Sequence, residues 1–235
     1  MIRSWWHTLI GWVFSSRDKT YAEFGPFAAV LKLSGEPAPL ILLSLRSAET
    51  AAVIDRIELA LAADDAVRGA NALFASPDWR PHLVGAVALI LDGDRRLDPS
   101  LMWKAIDTGS WVTPQLVTAA YLVDPSFPDR LQDRIDARCA VKMPAHLSPA
   151  ERRRATGPAT AEQRSAKLLV SLLRIGRLVP ALADRLAAAA RRADLKALQA
   201  ADRDKSGNIA ENWLKNLESQ FRSRGRALMP AGRRS

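Results

Sequence analysis

The sequence predicts an all-α protein built of stacked antiparallel helix pairs, α-solenoid-like, with additional helices at the C-terminal end. Three observations predict it. Alanine and leucine dominate while β-branched and aromatic residues are few, a balance that favours helix over strand. A Trp-Pro segment occurs twice: Trp79-Arg80-Pro81-His82-Leu83-Val84 and Trp111-Val112-Thr113-Pro114-Gln115-Leu116-Val117. Leu168, Leu172, Ile175, Val179, Leu182 and Leu186 follow one another at spacings of 4, 3, 4, 3 and 4, one apolar face of a helix.

At the N-terminus, Met1 to Phe14 resembles a signal peptide only superficially. The apolar run is short, rich in tryptophan and broken by His7 and Gly11, with no small-residue cleavage site after it. It is also too short to span a bilayer. Trp5, Trp6, Trp12 and Phe14 either cap the core of the domain or form an anchor at a membrane interface, the depth that tryptophan favours. The run Ala38 to Arg46 and the segments 48–63 and 65–75 read as helices, followed by 80–91, 99–107, 112–122 and 126–140. Proline fits the first turn of a helix, where its missing N–H has no partner to lose. Asp98-Pro99-Ser100 and Asp124-Pro125-Ser126 echo each other, with the aspartate placed to cap the helix that follows. Gly85, Ala86, Ala119 and Ala120 would let neighbouring helices approach closely.

The stretch Trp111 to Leu131, with its Ala119-Ala120 pair, Leu122 and the Asp124-Pro125 turn, resembles a HEAT-type repeat. The likeness covers residues 37–140. It implies paired antiparallel helices stacked into a curved solenoid, an arginine in the second helix at Arg130 or Arg134, and a surface that binds protein or nucleic acid.

Residues 141–160 break the pattern with Pro144, Pro149, Gly157 and Pro158. Ser148-Pro149-Ala150-Glu151 inside this break reads as a helix start, with Ser148 as the cap and Glu151 three residues on. From Ala161 the chain turns helical again. Pro180 either kinks that helix or starts a second one. A last helix is expected from Ile209 to Arg224, then a basic, frayed end. The organisation expected is therefore a repeat-like domain over 1–140 with a Trp-rich N-terminal helix, a linker over 141–160 and a basic helical segment over 161–235.

Charge divides along the same line. The chain holds 34 Lys and Arg against 25 Asp and Glu, a net +9. Residues 1–150 carry 15 basic and 17 acidic side chains, and residues 151–235 carry 19 and 8, so balances of −2 and +11 make up the total. The basic residues form three groups: Arg152, Arg153 and Arg154; the helix-borne Arg164, Lys167, Arg174, Arg177, Arg191 and Arg192; and the tail Arg222, Arg224, Arg226, Arg233 and Arg234. Such groups suit a nucleic-acid backbone, anionic lipid, an acidic protein or the chain's own acidic-leaning body.

One cysteine, Cys139, rules out an internal disulfide and fits a reducing, cytoplasmic setting. It reads as a small apolar residue on a helix. Asp202-Arg203-Asp204-Lys205-Ser206-Gly207-Asn208-Ile209 matches the first eight positions of a calcium loop, but position 12 is Trp213 where a bidentate acid is needed. It reads instead as a polar turn in which Ser206 or Asn208 caps the last helix. His7, His82 and His146 share no metal-ligand spacing, and no phosphate-cradling glycine loop or nucleophile elbow is present. No metal or cofactor and no catalytic residue is expected. The function expected is a non-enzymatic scaffold or adaptor that binds another protein. The alternatives are a nucleic-acid-binding protein working through its basic region, and a peripheral membrane protein held by its tryptophans.

Overall fold

The computed structural model describes residues 21–32, 38–43, 48–93 and 95–231, all of its regular elements helical. A 3-10 turn, Tyr21–Phe27, leads into α1 (Ala28–Lys32). Then come α2 (Ala38–Leu42), α3 (Ala48–Leu61), α4 (Ala66–Ala75), α5 (Trp79–Leu91), α6 (Ser100–Asp107), α7 (Thr113–Val123) and α8 (Phe127–Asp136). After these follow α9 (Pro149–Thr156), α10 (Ala161–Gly176), α11 (Ala183–Arg191), α12 (Ala193–Ala200) and α13 (Ser206–Ser223). Trp5, Trp6, Trp12, Phe14 and His7 lie outside the described residues.

The helix starts follow local chemistry. Asp78 caps α5, accepting from Arg80 N at 3.1 Å. The two Asp-Pro-Ser echoes make the same turn: Asp98 Oδ1 accepts from Ser100 N at 2.8 Å, and Asp124 Oδ1 from Ser126 N at 2.9 Å. Ser148 and Glu151 form the expected reciprocal cap on α9. Thr160 and Gln163 form a second one on α10. Pro180 restarts the chain: α10 ends at Gly176, and Pro180–Leu182 opens into α11.

Two of the expected elements end early. The described part of the first run is α2, which stops at Leu42 with Leu43 in the left-handed region at φ 50°. The helix expected over 126–140 ends at Asp136, because Arg138 and Cys139 both take positive φ, 57° and 51°. Cys139 is therefore buried in a turn, not carried on a helix. Burial pushes its thiol up to about 12.

The interior is organised around α7. Every residue from Thr113 to Leu122 is buried, the pattern of a helix surrounded on all sides. α5, α6, α10 and α13 pack on it. The structure shows helix-on-helix packing in which α7 meets helices both near and far in sequence. The segment after residue 160 belongs to the same interior: Leu168, Leu169, Leu172, Trp213 and Leu217 join one apolar cluster with Leu83, Val87, Leu116 and Ala120. α13 runs alongside α10 in the same direction, since Asp204 meets Lys167 and Glu211 meets Arg174. At its middle, Trp213 Nε1 donates to Leu40 O at 2.8 Å and Asn216 Nδ2 to Leu42 O at 2.7 Å. The last helix thus closes on the second.

Candidate anion-binding face

The basic residues divide into those neutralised by the chain's own acids and those left over. Lys167 is buried; its Nζ lies 2.9 Å from Asp204 Oδ2 and 3.4 Å from Trp111 O. Arg174 pairs with Glu211, its Nε donating at 2.7 Å. Lys215 and Arg174 together hold the Glu211 carboxyl below its ordinary range. Arg224 reaches across to α3, donating to Asp55 Oδ1 at 2.7 Å and to Ala51 O at 3.0 Å. Arg226 pairs with Glu58 on the same helix. These four basic candidates are therefore tied within the fold, two of them to the N-terminal half.

Arg152 turns back on the preceding loop, donating to Leu147 O at 2.9 Å and Ala145 O at 3.0 Å. Arg153 on α9, Arg177 at the end of α10 and Arg222 on α13 are exposed. Arg154 and Arg164 are partly buried, and the Nε of each is shut from solvent with no hydrogen-bond partner. Among the described residues no carboxylate pairs with Arg153, Arg154, Arg164, Arg177 or Arg222.

The α6–α7 turn gathers the inner members of this set. Trp111 N donates to Ala155 O at 2.8 Å, which docks the end of α9. Gly157, φ 64°, lets Trp111 lie against it: a Cβ there would stand 3.1 Å from Trp111 Cδ1. Trp111 packs on its other side against Trp79, ring centres 4.8 Å apart. Gly109, φ 76°, is the seat of Arg164, whose side chain lies so close that a Cβ would meet Arg164 Cδ at 2.8 Å. Arg164 Nη1 donates to Ala159 O at 2.8 Å. Burial without a compensating carboxylate draws this guanidinium below the ordinary arginine range. The Lys167–Asp204 pair lies at the same turn, bringing in the loop that carries Arg203 and Lys205.

The calcium-like stretch is engaged otherwise. Asp202 accepts from Ser206 N at 2.8 Å and from Ser206 Oγ at 2.7 Å, so the aspartate, rather than Ser206 or Asn208, supplies the capping oxygens. Among the described residues no group of three or more His, Cys, Asp or Glu side chains is placed to hold a metal ion. No helix among them is long and apolar enough to cross a membrane.

Two buried polar clusters have no counterpart in the sequence pattern. His82, buried in the first turn of α5, has Nδ1 2.9 Å from Ser110 Oγ and Nε2 2.8 Å from Ser76 O. A carbonyl can only accept, so Nε2 carries the proton and Nδ1 accepts from Ser110. Asp124 accepts from Trp103 Nε1 at 2.6 Å and pairs with Arg130 at 3.1 Å, while Arg134 grips Asp107 at 2.8 and 2.7 Å. Both arginines that the repeat resemblance offered are thus bound to aspartates of α6 and the α7–α8 turn.

Among the described residues every regular element is helical, and Arg164 sits at the α6–α7 turn with no carboxylate partner. No protein-family model, curated protein or solved structure matches the chain.

Proposed function

We propose that the protein is a non-enzymatic binding module and that its ligand is the phosphate backbone of nucleic acid. The observation that carries this reading is the sorting of its cations. Lys167, Arg174, Arg224 and Arg226 are matched by acids, whereas Arg153 and Arg164, on two consecutive helices, have no carboxylate partner, and Arg154 has only the field of Glu151 on its own helix. Arginine binds phosphate through a planar fork of donors, and release of counterions from a polyanion favours such a face. The HEAT-type likeness of residues 37–140 agrees with a binding role and adds no catalytic one. An acidic protein is the competing ligand for the same arginines.

Titration of the full chain against labelled duplex DNA and RNA over a series of salt concentrations tests the reading. Affinity should fall linearly on logarithmic axes. Replacing Arg153, Arg154 and Arg164 together by alanine should flatten the slope by about 2.7, at about 0.9 for each phosphate that is no longer neutralised. Absence of binding, or binding indifferent to salt, rejects nucleic acid as the ligand.

A further inference from the structure

Within that face the arginines are not equivalent. Arg153 stands in solvent. Arg164 is held: its stem lies across Gly109, Nη1 is fixed on Ala159 O at 2.8 Å and Nε has no acceptor. We propose that Arg164, seated on Gly109, is the residue that grips a phosphate of the bound backbone through Nη2, the end of the fork that the fold neither pairs nor shuts away, and that the exposed arginines add charge without position. The inference rests on the nucleic-acid reading above and names the residue on which that reading turns.

Three physical points carry it. A guanidinium partly removed from water attracts an anion more strongly than a solvated one, because the screening around it is weaker. Its conformational freedom has already been given up in folding, so binding has less to immobilise. Nη2 has no protein partner, and a partly desolvated cation without a counter-charge is costly until an anion compensates it. The first turn of α10 is not itself the site. Thr160 Oγ1 accepts from Gln163 N, and Gln163 Oε1 accepts from Thr160 N, so the capping box engages both ends of that turn.

Seat and residue fit one another. Alanine at position 109 would be strained at φ 76° and would push against Arg164 Cδ. Lysine at 164 would keep the charge and lose the planar fork. The two properties can therefore be separated by substitution.

The experiment compares Arg164→Lys, Arg164→Gln and Arg153→Lys in the full chain, using one duplex DNA over a salt series. Arg164→Lys should weaken binding about tenfold with the salt slope unchanged. Arg164→Gln should weaken it further and reduce the slope by about 0.9. Arg153→Lys keeps the charge that Arg153 contributes, so it should leave the slope unchanged and weaken binding far less than Arg164→Lys does. Equal affinities for the two lysine variants overturn the proposal, even where steep salt dependence upholds nucleic-acid binding. A parent protein that binds no nucleic acid overturns both. Circular dichroism checks that each variant is folded; should Arg164→Lys unfold, the slope of Arg164→Gln decides.

Discussion

His82 is a base held neutral. Burial is the chief cause and lowers its pKa to about 4, against the partial opposition of its hydrogen bond to Ser76 and of Asp78. In the unfolded chain the imidazole takes up a proton near pH 6.5. Between that value and about 4 the unfolded state binds a proton that the native state refuses, so stability is full above pH 6.5 and drains as the pH falls. The loss is about 3 kcal/mol over the window. Chemical denaturation at pH 7 and pH 4 should show it, and His82→Gln should reduce the difference between the two. Cys139 makes a second residue-scale case. Its thiol is buried and pushed up to about 12, so a thiol-specific reagent at neutral pH should label it only after unfolding. Lys205 makes a third, being exposed at φ 54° with no ion pair to lose. Lys205→Gly relieves a left-handed residue and should raise stability by about 0.5–1 kcal/mol in a thermal or denaturant melt.

At the scale of elements, the punctuation was legible and the inward partners were not. Ser148 announces its helix because a cap is a local device, complete within three residues. Asp98 and Asp124 do not cap theirs as expected, but close the short turn that leads into each helix, whose N-caps are Pro99 and Ser126. Removing one should act locally too: Thr160→Ala takes away the reciprocal cap of α10 and should cost about 1 kcal/mol of stability. The end of α8 could not be read, since Arg138 and Cys139 take a turn that glycine usually marks. Val179 fits the apolar spacing of α10 yet lies beyond Gly176, because Pro180 stops the helix before the periodicity stops. The arginine face was only half visible. The charges of Arg152, Arg153, Arg154, Arg164, Arg174 and Arg224 are in the sequence, but their fates depend on encounters over long separations. Arg174 finds Glu211 and Arg224 finds Asp55, while Arg164 finds only Gly109 and a carbonyl.

For the whole molecule, the contrast between a −2 and a +11 portion becomes partly an internal matter. Arg224 and Arg226 lay part of the basic end on Asp55 and Glu58 of α3. The central helix α7 takes α10 and α13 as neighbours on the same footing as α5 and α6. A fragment of residues 1–160 would lack α10 and α13 and so leave one side of α7 uncovered, including Thr118, whose hydroxyl reaches Ala210 O. Such a fragment should lack the dispersed amide spectrum of a folded protein, whereas the full chain should melt in one transition.

The bond from Trp213 to Leu40 spans 173 residues. Pairings of that kind slow folding, because distant stretches of chain must meet before either is rewarded. During synthesis the consequence is vectorial: the ribosome has released α2 to α12 before the helix that completes the core exists. The nascent chain must keep the uncovered side of α7 from other apolar surfaces until α13 emerges.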